Sequence, residues 1–84
     1  MQNDPETLAL GALGWLLADD RRAERLLALT GLTPDALRAG LGERATLRAV
    51  LDFLCAHEPD LIAAAEALAV DPARLAAARE GLGA

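Results

Sequence analysis

Apolar positions along this chain recur at helical spacing, and nowhere do they alternate as a half-buried strand requires. Leu47, Val50, Leu51 and Leu54 stand at i, i+3, i+4 and i+7, the stripe of an amphipathic helix. Arg48 and Asp52 lie off that stripe, spaced to pair on its solvent face. The longest apolar run, Leu8 to Ala18, has about half the length that a membrane span needs. The pattern therefore predicts short helices packed on one another, with no membrane insertion.

Four prolines place the helix starts: Asp4-Pro5, Thr33-Pro34, Glu58-Pro59 and Asp71-Pro72. Proline suits the first helical position, where its missing N–H would have been unpaired anyway. Asp or Thr just before it can accept a hydrogen bond from a free first-turn N–H, and Glu58 serves as a weaker cap through its charge. Asp19-Asp20 opens a further helix that Gly31 closes, and Gly40-Leu41-Gly42 breaks the chain before another. The expected fold is all-α, a compact bundle of five to six short helices forming one domain over residues 1–84. Counting every start signal yields six, near 5–18, 20–30, 34–40, 43–57, 59–69 and 72–80.

Sliding the chain on itself by 38 residues superposes the capping prolines Pro34 and Pro72 and the two aromatics Trp15 and Phe53. Leu13, Leu16 and Leu37 then fall on Leu51, Leu54 and Leu75. This predicts a pseudo-twofold duplication of a three-helix unit, with repeats over about 5–40 and 43–80. Two such units are too few for a solenoid, so a closed bundle is expected. Trp15 and Phe53 are expected as equivalent core anchors. Gly11 and Gly14 precede Trp15 on what reads as one ridge; close packing is expected to offset the cost of glycine inside a helix, about 0.5–1 kcal/mol each. A groove beside them could receive a partner helix.

Composition sharpens this picture. Trp15 and Phe53 are the only aromatics, so leucine and alanine must build the core of these 84 residues. Such an interior is cohesive but shallow, and self-association would add burial. The formal net charge of -5 opposes phosphate backbones and makes general nucleic-acid binding unlikely. A single cysteine, Cys55, allows no internal disulfide, and with an acidic N-terminus unlike a secretory signal it points to the cytoplasm.

Candidate chemistry is sparse. Cys55 and His57 are two apart on a helix, which points them about 200° from one another rather than together. His57 suits a helix C-terminus, where a cation meets the dipole favourably. One His, one Cys and carboxylates dispersed over helix starts leave no catalytic pair, metal cluster or cofactor loop, so no enzyme activity, metal or cofactor is expected. Arg21, Arg22 and Arg25 cluster in the first turns of the second helix, where positive charge opposes the macrodipole. Either nearby carboxylates pair with them, or they present a site for an acidic partner.

Leu26-Leu27-Ala28-Leu29-Thr30-Gly31-Leu32, Leu47-Arg48-Ala49-Val50-Leu51-Asp52-Phe53-Leu54 and Val70-Asp71-Pro72 resemble the small bacterial domain-of-unknown-function family 3572. The resemblance covers nearly the whole chain and implies a helical cytoplasmic protein. It carries no activity or functional residues to transfer. The expected role is a protein-interaction module, an adaptor or regulatory subunit, acting on an unidentified protein partner or by self-association. Arg21, Arg22, Arg25, Gly11 and Gly14 are its candidate contact residues. The alternative is a nucleic-acid-binding helical regulator.

Overall fold

A computed structural model describes residues 4–83. Six helices follow in order: α1 (Pro5–Leu17), α2 (Asp20–Thr30), α3 (Pro34–Ala39), α4 (Arg44–Cys55), α5 (Glu58–Leu68) and α6 (Pro72–Leu82). No strand occurs among the described residues. The radius of gyration is 11.4 Å, against about 12 Å for a compact chain of this length. The bundle is therefore closed.

The starts follow the local chemistry that the prolines signalled. The Asp4 carboxylate accepts from the Thr7 N–H at 3.2 Å, Asp19 from Arg22 at 3.0 Å, and Thr33 from Ala36 at 3.0 Å. Of the Asp19-Asp20 pair, Asp19 is the cap and Asp20 the first helical residue. Two caps differ from expectation. His57 takes the capping position of α5, placing Glu58 and Pro59 in its first turn, where the acidic charge meets the positive end of the helix. Asp71 precedes Pro72 as expected, but its carboxylate makes no capping bond; its carbonyl oxygen accepts from the Arg74 N–H at 2.9 Å.

Helix ends α2 and α5 stop alike. Gly31 follows α2 at φ 75°, and its N–H bonds the Leu27 carbonyl at 3.0 Å. Ala69 follows α5 at φ 60°, with Val70 N–H to Ala65 O at 3.0 Å and Ala69 N–H to Glu66 O at 3.1 Å. That pair of bonds is a Schellman motif, which normally places glycine where Ala69 stands.

α1, α4 and α6 pack on one another at the centre, with α5 and α2 bracing α1 and α4 from outside. α1 contributes Leu8, Ala9, Ala12, Leu13 and Leu16 to the core. The α4 stripe read from the sequence, Leu47, Val50, Leu51 and Leu54, is at most 1% exposed. Burying each such leucine contributes about 1.5–3 kcal/mol. Phe53 joins them, whereas Trp15 is only half-buried and packs at the margin. The two aromatics are therefore not equivalent anchors: Trp15 has Arg22 over its outer face. Gly11 does mark a close approach, since a Cβ there would lie 3.0 Å from Leu68 Cδ2 of α5.

α6 runs to Leu82, two residues past the sequence estimate, and buries Leu75, Ala78 and Leu82. Arg44 secures its end by donating to the Gly81 carbonyl oxygen at 2.7 Å. α3 is a single short turn and a half, held by Leu37 alone. Its chain reversal needs Gly40, because a Cβ there would overlap the Thr46 hydroxyl.

Two outcomes are expected. Alanine at left-handed φ costs about 1–2 kcal/mol, partly offset by its stiffer unfolded chain, so Ala69→Gly raises stability by about 0.5–1 kcal/mol in urea unfolding. The N–H of Arg22 holds the Asp19 carboxyl below its ordinary value. A lowered carboxyl adds stability above its unfolded-state pKa and loses it as pH falls through the folded value. Asp19→Asn keeps an accepting oxygen but not the charge, so its thermal midpoint falls less steeply on acidification from about pH 5 to 2.

Candidate functional site

The structure disperses the arginine cluster. Arg22 turns back on α1, donating to the Trp15 carbonyl oxygen at 2.8 Å, with its guanidinium carbon 3.8 Å from the indole centroid. It thereby adds a second donor to a carbonyl in the last turn of α1, which the Ala18 N–H also reaches at 3.3 Å. Arg25 reaches across to α5 and meets the Asp60 carboxylate at 2.7 Å. Arg21 is exposed and forms no ion pair among the described residues. Two of the three arginines thus hold α2 in place, and one faces solvent.

Cys55 and His57 are not on one helix: α4 ends at Cys55, and His57 stands beyond it at the capping position of α5. His57 Nδ1 donates to the Phe53 carbonyl oxygen at 2.9 Å, and its ring stacks on Phe53 with centroids 4.7 Å apart. The imidazole therefore closes the C-terminal turn of α4. Cys55 is half-buried, and burial pushes its thiol up, against an opposing pull from Arg79. Arg79 is itself held by Glu80 at 2.8 Å and by Asp52 at 3.5 Å, while Arg48 meets Asp52 at 3.6 Å. Among the described residues no three His, Cys, Asp or Glu side chains gather in a metal-binding group. No helix among them is long and apolar enough to cross a membrane.

The feature without an internal explanation is an apolar groove of about 440 Å³ beside α1. Leu10, Leu13, Gly14 and Leu17 form its floor along one side of α1. Leu27 of α2 and Pro34 and Leu37 of α3 form the opposite wall, with Leu41 and Arg38 at the rim. Leu10, Leu17 and Leu41 are 43%, 46% and 37% exposed. Gly14 opens onto this groove, and a Cβ there would have no neighbour within 4 Å. The two glycines of α1 therefore serve different faces: Gly11 admits Leu68, and Gly14 faces the groove. Leu10 and Leu17 were missed as surface residues because α1 is apolar all round from Leu8 onward and shows no polar side to mark what faces outward, and Leu41 because it lies in a turn with no periodicity to read. The contrast with the charged outer face of α4 was the available signal.

A closed six-helix bundle with an apolar groove beside α1 and no metal-binding group among its described residues defines a small helical domain. A family model described as "Protein of unknown function (DUF3572)" matches residues 2–84, and the chain belongs to that family. No curated protein and no solved structure matches it significantly.

The raised Cys55 thiol leads to a direct expectation. Its reaction with an aromatic disulfide reagent at pH 7 is slower than that of a free cysteine, and unfolding in urea restores the free rate.

Proposed function

We propose that this protein is a protein-interaction module, an adaptor or regulatory subunit, that works through the groove beside α1. The observation that carries the reading is the row Leu10, Leu17 and Leu41, large apolar side chains left in water around an open glycine. Single exposed leucines are ordinary, but a contiguous apolar groove with a polar rim is characteristic of partner sites. The internal engagement of Arg22 and Arg25 weakens the alternative of a nucleic-acid regulator. Phosphate binding would rest on scattered exposed arginines such as Arg21 and Arg74, in a chain of net charge -5. The cytoplasm suits a lone Cys55 with a raised thiol pKa, which a reducing compartment keeps as a thiol.

The reading also includes a pseudo-twofold duplication. Helices α2 and α5 span 20–30 and 58–68, the ends of α1 and α4 are 17 and 55, and the left-handed stops are 31 and 69. Each pair is 38 apart, and α3 and α6 start at 34 and 72.

The test is photo-crosslinking in the cell of origin, with a photoreactive side chain at Leu17 in the groove or at Glu66 on the exposed face of α5. A discrete adduct from position 17 and none from position 66 is expected, and its mass identifies the partner class. No adduct from position 17, or equal adducts from both, removes the groove as an interaction site.

A further inference from the structure

In the 38-residue register, the groove falls on a junction that the second half of the chain closes. The positions 38 residues beyond Leu10, Gly14 and Leu17 of α1 are Arg48, Asp52 and Cys55 of α4. Those beyond Leu37 and Leu41 are Leu75 and Arg79 of α6. There the two sides meet: Arg79 pairs with Asp52 at 3.5 Å, Leu75 is fully buried, and α6 packs on both α4 and α1. In the first half α3 packs closely on no other helix, and Leu10, Leu17 and Leu41 stay in water. The difference arises after Leu37. Gly40 and Gly42 stand where α6 has Ala78 and Glu80, so α3 stops after six residues while α6 runs for eleven.

Resting on the groove reading above, we infer that α3 is a lid: it alternates between the open position described and one settled on α1, as α6 is settled on α4. Leu37 is its one buried side chain. Open space surrounds Gly31 and Gly42, which flank the segment, so neither end is wedged in place. A segment with so few buried contacts moves at a small fraction of the global unfolding cost. Closing covers Leu10, Leu17 and Leu41, and the bare backbone at Gly14 admits Leu41 where Asp52 meets Arg79 in the other half. The open state keeps a different contact. Gly40 sits against the Thr46 side chain, and its carbonyl oxygen accepts from the Glu43 N–H at 2.9 Å. Two sets of contacts thus compete for one segment, which makes it a two-state element. A partner in the groove binds only the open state, so its apparent affinity is reduced by the open fraction. The lid is the site's regulator.

The test is pulsed electron spin resonance on the full chain carrying Asp35→Cys and Glu66→Cys, each labelled with a nitroxide, and Cys55→Ala. Asp35 points into solvent from α3, and Glu66 lies on the exposed face of α5, which flanks α1 at Gly11. Two label separations are expected, the shorter from the closed lid. Gly14→Gln projects into open space while the groove is open and obstructs closure, so it lowers the share of the shorter separation at least ~10-fold. It also replaces a helix-weakening glycine, so the thermal midpoint is unchanged or raised. Leu41→Asp, at the exposed rim, lowers the same share. A single separation, or a pair that Gly14→Gln leaves unaltered, overturns the lid. No partner is needed for this measurement. A position-17 adduct with one separation therefore removes the lid and keeps the groove. Two separations that Gly14→Gln merges, without that adduct, keep the motion and remove the partner reading.

Discussion

The packing of α1 into the angle between α4 and α6 is the constraint on which the rest of the molecule depends. α1 supplies five buried side chains, while α4 and α6 reach it from the other end of the chain. With a core of leucine and alanine, no aromatic cluster or disulfide can substitute for that contact. The small residues matter as much as the large ones. Ala9 and Ala12 are fully buried, and Gly11 lets Leu68 approach the helix backbone, so the gain comes from closeness rather than bulk.

Polar groups in this bundle mostly finish helices. Arg22 reinforces the end of α1, His57 the end of α4, and Arg44 the end of α6, each by donating to a carbonyl oxygen of the last turn. Residues that look reactive or partner-seeking in isolation thereby acquire structural work. The ion pairs among Arg48, Asp52 and Arg79 lie partly exposed over the α4–α6 contact and add register more than stability.

How much of this was legible in the sequence depended on how local the determining physics was. Pro5, Pro34 and Pro72 placed three starts, because proline at the head of a helix acts within one turn; Asp4 and Thr33 add capping bonds there and Asp71 does not. The α4 stripe was legible because its polar face contrasts with its apolar one. The destinations of Arg22 and Arg25 were not, since an indole seven residues back and a carboxylate thirty-five residues on are brought near only by tertiary packing. Glu58 was misread as a cap because His57, with no capping hydrogen bond from its side chain, takes that position by backbone geometry alone. The groove was legible only in part. Gly14 was read as part of a glycine ridge, but it was grouped with Gly11, which faces a different neighbour. The exposed face of α1 left no periodic trace, because leucine occupies both its buried and its open sides.

The placement of α1 also sets a timetable for the protein's making. Of the six described helices it is made before the others, and its central contact, α6, after them. Leu82 follows Leu17 by 65 residues, which take about 3–13 s to translate at ordinary elongation rates. For those seconds the most apolar segment of the chain lacks its central partner, and its packing stays incomplete however early α2, α4 and α5 are made. The nascent chain therefore presents the kind of uncharged leucine-rich stretch that holding chaperones bind, and the bundle assembles only once its final turn is available.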